Sequence, residues 1–235
     1  MRRRAWFVLL SVLALVPIAI GVAGAGTGPV RLEAAKVIVE VNQTDGDAGL
    51  QIFLDGDAWR QISVFRPDGQ KIAEFATAGP VNDYGLTELF SESSEPPFTE
   101  FPLSQFKTLF PEGEYTFTGT TIEGQDVVGS ATLTHDIPNG PNLVAPEDGA
   151  RLDASNVVIR WREGAQPQGV QIDAYQVVVT RERPLRVMEV DLPGNVHRLT
   201  VPSEFLEPNT KYKFEVLAID AGGNQTLTER SFVAR

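Results

Sequence analysis

Between residues 36 and 137 apolar side chains recur at every second position in short runs. Val37, Val39 and Val41 alternate with Lys36, Ile38 and Glu40, and Leu50, Ile52 and Leu54 alternate with Gln51 and Phe53. A period of two sends successive side chains to opposite faces of an extended chain, so each run predicts a strand with one face on a core. Ile62 and Val64 continue the series. Asp45-Gly46, Asp55-Gly56 and Asp68-Gly69 fall between the runs, where Asp-Gly predicts tight hairpins and a meander of adjacent strands. The alternation fades between Val81 and Leu109: residues 91–97 read as a loop, and residues 102–110 as one or two helical turns that Pro111 stops. A loop of this length often carries function on a β scaffold.

From Pro141 onward the pattern is again short β-rich runs, at 157–161, 172–180, 186–190, 197–201, 212–220 and 226–233, after the proline-punctuated segment 141–146. Seven strands separated by turn signals, with hardly any 3.6-residue periodicity, predict an antiparallel sandwich. Residues 138–142 form the connector. Pro138 and Pro141 restrict it, which predicts a semi-rigid tandem rather than freely jointed domains.

Pro146, Trp161, Tyr175 and above all the segment from Leu206 through Pro208 and Tyr212 to Phe214 and Val216 give residues 143–235 a pattern that resembles a fibronectin type III domain. The resemblance implies that Leu206 covers the core and that Tyr212 makes the corner hydrogen bond anchoring the connection before the sixth strand. Trp161 and Tyr175 are then core residues. The chain contains no Arg-Gly-Asp, so nothing here supports the integrin binding of some family members. Leu109, Pro111, Tyr115 and Phe117 stand in almost the arrangement of Leu206, Pro208, Tyr212 and Phe214. Residues 36–137 are accordingly expected to be a second, immunoglobulin-like sandwich, a diverged copy of the first with no named family of its own. The expected fold is all-β, two tandem antiparallel sandwiches.

The start of the chain adds a compartment. Arg2-Arg3-Arg4, an apolar run over residues 5–20 and Ala23-Gly24-Ala25 have the layout of a secretory signal peptide, residues 1–25, followed by a linker at 26–35. An uncleaved anchor is the alternative, because the apolar stretch approaches bilayer-spanning length. Either way the protein is expected to be exported to a periplasm, cell surface or medium, with a bacterial envelope as the expected setting. The chain has no cysteine, which excludes disulfides, thiolate metal sites and a cysteine nucleophile. Its net charge of −11 becomes −14 without the three leader arginines, and such a field repels nucleic acid and anionic lipid.

Candidate chemistry is sparse. Asp45, Asp47, Asp55 and Asp57 put four carboxylates on expected turns, and oxygen ligands on loops suit calcium, although the spacing fails the EF-hand pattern. Otherwise Asp-Gly simply makes turns. Glu88, Glu92, Glu95 and Glu100 could supply a glycosidase pair, but nothing in their spacing selects one. His135 and His197 are the only histidines, one per half, and no G-x-S-x-G occurs, so neither a triad nor a shared metal site is expected. Trp59, Phe98 and Phe101 lie near expected turns or in the long loop, where exposed rings would stack on a sugar or anchor a protein. Asn42-Gln43-Thr44 and Asn224-Gln225-Thr226 fit the glycosylation sequon and read as chance matches. The expectation is a non-catalytic exported protein that recognises envelope or extracellular protein or polysaccharide, or acts as a scaffold. The alternatives place a small glycoside hydrolase or a calcium-dependent adhesion module in the first domain.

Overall fold

The computed structural model describes residues 28–235, so the signal peptide expected at residues 1–25 lies outside the described residues. In the first half the chain forms β1 (Val30–Arg31), β2 (Ala34–Asn42), β3 (Asp47–Phe65), β4 (Lys71–Ala76), α1 (Val81–Tyr84), β5 (Leu86–Glu92), α2 (Leu103–Leu109), β6 (Gly113–Thr121) and β7 (Asp126–Leu133). The first part of β3 lies between β2 and β5, the second part between β4 and β6, and the register breaks between Asp55 and Trp59. One strand thus serves both layers by bending where it changes partners. Gly56 sits at the bend, where a side chain would be tight: a Cβ would lie 3.2 Å from Leu32 Cδ2, which would have to give by a few tenths of an ångström.

This corrects the hairpin expected at Asp55-Gly56. The other two Asp-Gly pairs do turn. Gly46 takes a left-handed φ of 73° while Asn42 Oδ1 accepts the Thr44 and Asp45 amides, and the Gly69 amide closes its turn on the Arg66 carbonyl at 2.9 Å. Residues 30–35 are likewise not a linker, since β1 pairs in parallel with β7 and β2 begins at Ala34.

Val37, Val39 and Val41 meet Leu50, Ile52, Leu54, Ile62, Val64, Tyr115, Phe117 and Val127 in one core, which Phe106 of α2 closes. Burial of these side chains is what holds a chain without cross-links together.

The second half contains β8 (Asn142–Ala145), β9 (Ala150–Leu152), β10 (Val158–Arg162), β11 (Ile172–Glu182), β12 (Leu185–Pro193), β13 (Arg198–Thr200), β14 (Thr210–Asp220) and β15 (Gln225–Ala234). One layer is β13-β10-β8 and the other β15-β14-β11-β12, with the short β9 added in parallel to β15. Trp161, Tyr175, Val177, Leu206, Tyr212, Phe214 and Phe232 fill the space between them. Trp161 meets Tyr175 edge-on at 5.5 Å, a favourable arrangement of ring quadrupoles.

Both halves have a tyrosine corner. Tyr212 Oη accepts the Glu207 amide at 2.8 Å, and Tyr115 Oη donates to the Pro111 carbonyl at 3.0 Å, with both rings fully buried. The parallel fails at the leucine. Leu206 is buried, but Leu109 is 47% exposed, because α2 turns Phe106 into the core and Phe110 packs on Phe106 at 4.9 Å.

The halves share backbone. β15 pairs in parallel with β2, joining Gln225 to Glu40, Thr226 to Val41 and Leu227 to Asn42, so a single sheet runs β1-β7-β6-β3-β2-β15-β14-β11-β12 through both sandwiches. The connector is buried at Pro138, Gly140 and Pro141, and the Thr226 hydroxyl donates to the Pro138 carbonyl.

Candidate functional site

Simple alternation puts Glu40 on the solvent side of β2, but with Gln225 of β15 registered beside it and Gln51, Glu92 and Glu95 around its carboxyl it is completely buried. Its Oε2 accepts from Gln225 Nε2, which also reaches Gln51 Oε1 at 3.1 Å, while Gln51 Nε2 donates to Glu92 Oε1 at 2.8 Å. Glu40 Oε1 has no hydrogen-bond partner. Oxygens of Glu40, Glu92 and Glu95 lie within 4.8 Å of one another, the one acidic group among the described residues close enough to surround a cation.

Burial first, then the charges of Glu92, Glu95 and Glu215, push the Glu40 carboxyl up to about 8. At neutral pH this group holds a proton. Glu215, also buried, is raised by burial, against which the Lys213 ammonium works; Lys213 bridges Glu215 and Glu229.

None of the four aspartates belongs to that group. Asp47 and Asp55 stand eight residues apart on one strand, roughly 26 Å at about 3.3 Å per residue, so the two expected pairs cannot share an ion. Asp57 is exposed just past the bend, and Asp45 lies in the β2–β3 turn. Of the expected catalytic carboxylates, Glu88 faces Asp55 in register on β5, and Glu100 is exposed beyond the loop. Glu92 and Glu95 do meet, but around the buried Glu40 rather than across an open cleft, whereas glycoside hydrolysis needs about 5 Å or more between two accessible carboxyls.

The aromatic platform is also corrected. Trp59 has no exposed surface and packs in the first core; β3 resumes there after its bend and turns the indole inward. Phe98 and Phe101 pack against the same core from the loop. His135 Nε2 contacts the Phe110 carbonyl at 2.8 Å, and His197 stacks edge-on against Tyr175 at 5.4 Å, so the two histidines serve separate domains. The sequon asparagines are both buried: Asn42 holds the β2–β3 turn and Asn224 the contact between domains.

Sequence reasoning missed a groove of about 510 Å³ on the outer side of β13-β10-β8. It is lined by Arg160, Trp161, Arg162, Asn195, Val196, His197, Arg198 and Val144. The signal lay in Arg160 and Arg162, two residues apart in a strand and hence on one face.

Residues 145–234 match the model of the fibronectin type III domain. No curated protein matches the chain. Solved structures similar to it include a two-domain fibronectin type III segment from chicken tenascin, 12% identical, covering 86% of this chain and 99% of that one, with a TM-score of 0.32. The FN1-FN3 domains of chicken CNTN1 are 13% identical over 88% of this chain and 66% of that one, with a TM-score of 0.31. A computationally redesigned β-sandwich protein is 21% identical over 41% and 87%, with a TM-score of 0.30.

Proposed function

With residues 145–234 forming a fibronectin type III domain, a fold that is commonly a binding or scaffold module, we propose that the chain is an exported, non-catalytic recognition protein of the cell envelope or extracellular space. The carrying observation is the open groove on β13-β10-β8, which side chains line and whose central strand is paired on both sides. Such a surface reads a ligand without doing chemistry on it. The buried polar joint supports the scaffold half of this reading, because it holds the groove in fixed relation to the first domain.

The test is co-sedimentation of residues 26–235 with insoluble envelope and matrix polysaccharide, with release of reducing sugar followed in the same tubes. Retention without sugar release is the expected result. Sugar release would replace this reading with the hydrolase, and absence of retention on every material would remove polysaccharide recognition.

A further inference from the structure

The charge of the chain is unevenly divided. Residues 26–142 carry 18 acidic against six basic side chains, whereas residues 143–235 carry 13 acidic and 11 basic. Three of those 11 converge on the groove. Arg160 on β10 is the direct cross-strand partner of Arg198 on β13, and Arg162 follows two residues along the same face of β10. All three are exposed, and among the described residues none of them makes an ion pair. Three other arginines do find carboxylates: Arg66 pairs with Asp68, and Arg181 and Arg186 share Glu207.

Like charges directly opposite in a sheet destabilise it, and among the described residues no carboxylate pairs with Arg160 or Arg198 to offset that cost. An anion set between two guanidinium groups reverses the sign of that interaction, and planar guanidinium forks bind carboxylate and sulfate bidentately. β10 is the central strand of its layer, its backbone taken by β8 on one side and β13 on the other. An extended peptide therefore cannot add to β10 and meets only side chains over the middle of this face, which favours a ligand read through pendant anionic groups.

Resting on the recognition reading above, we propose that the β13-β10-β8 face binds an acidic polysaccharide, with Arg160, Arg162 and Arg198 taking its carboxylate or sulfate groups. The acidic first domain repels the same polymer and confines it to this face of the second domain.

The experiment is affinity electrophoresis of the intact chain through gels containing polygalacturonate, dextran sulfate, neutral dextran or polyglutamate. Wild type is compared with the double variant Arg160→Ser/Arg162→Ser and with Arg151→Ser, an exposed arginine outside the groove. Expected are retardation by one or both acidic polysaccharides but not by neutral dextran, about a tenfold weaker retardation of the double variant, and no change in Arg151→Ser. Circular dichroism confirms that both variants are folded. Retardation of the double variant equal to wild type, or no retardation by either acidic polysaccharide, overturns the proposal. Stronger retardation by polyglutamate than by both would assign the face to an acidic protein segment and overturn it too. Carboxylate and sulfate sources are separated by which polysaccharide binds. Retention on neutral or insoluble polysaccharide that ignores the arginine changes would leave the recognition reading standing and sink this one alone.

Discussion

Asn224 Oδ1 accepts the backbone amide of Val39 at 2.9 Å, across 185 residues of chain. Its Nδ2 donates to the Thr134 hydroxyl at 2.9 Å and to the Thr134 carbonyl at 3.1 Å. One side chain at the β14–β15 turn therefore satisfies an edge of β2 and the chain leaving β7, at a position only 2% exposed.

Asn224→Ala strands the Val39 amide and the Thr134 groups in a buried joint, and is expected to cost about 2 to 4 kcal/mol. Urea unfolding checks it: the joint should yield before the two cores, so that one transition becomes two. A single transition at an unchanged midpoint would show that the joint does not depend on this residue.

Glu40 makes stability fall with rising pH. Its folded-state pKa of about 8 stands above the ordinary value of 4.5, so between those limits the folded chain binds the extra proton. The favourable contribution is complete below about pH 4.5 and is lost as pH rises through about 8. Glu40→Gln, which keeps the shape without the charge, should match wild type in acid and exceed it by a few kcal/mol at pH 9. Urea midpoints at several pH values decide it, and parallel curves for the two proteins would refute the buried-proton account.

Trp59→Ala removes a large ring from the first core and should cost about 3 to 5 kcal/mol. In the wild-type protein the Trp59 fluorescence should be blue-shifted and poorly quenched by acrylamide. Ready quenching would return the ring to the surface.

The corner hydroxyls can be removed one at a time. Tyr212→Phe frees the Glu207 amide and Tyr115→Phe the Pro111 carbonyl, so each change should lower stability by about 1 kcal/mol. Thermal melts of the two variants check whether the corners are equivalent.

Arg160→Thr relieves the charge pairing with Arg198 and should raise stability by a few tenths of a kcal/mol. A loss of stability instead would mean that the arginine stem packs usefully on β13.

Much of the architecture was legible because alternation marks a strand wherever one face is buried and the other is wet, and because Tyr212 and Tyr115 stand at corner spacing. Reading failed where that premise failed. Glu40, Gln51 and Gln225 are polar residues shut inside a joint between distant segments, and no local pattern announces a second domain on their face. Asp55-Gly56 has turn chemistry, but its glycine serves the approach of Leu32. Leu109 keeps the repeat spacing while α2 takes over its role with Phe106. The arginine face went unread because Arg198 joins Arg160 and Arg162 only when β13 lies beside β10.

The overlap of β2 with β15 also has a mechanical meaning. β2 runs into the joint and β15 runs out of it in the same direction, overlapping through three registered pairs as boards do in a lap joint. Tension applied between the start of β2 and the end of β15 loads those rungs together, in shear, instead of peeling them one after another. Pulled along this axis, the molecule should resist stiffly and then give way abruptly after a short extension.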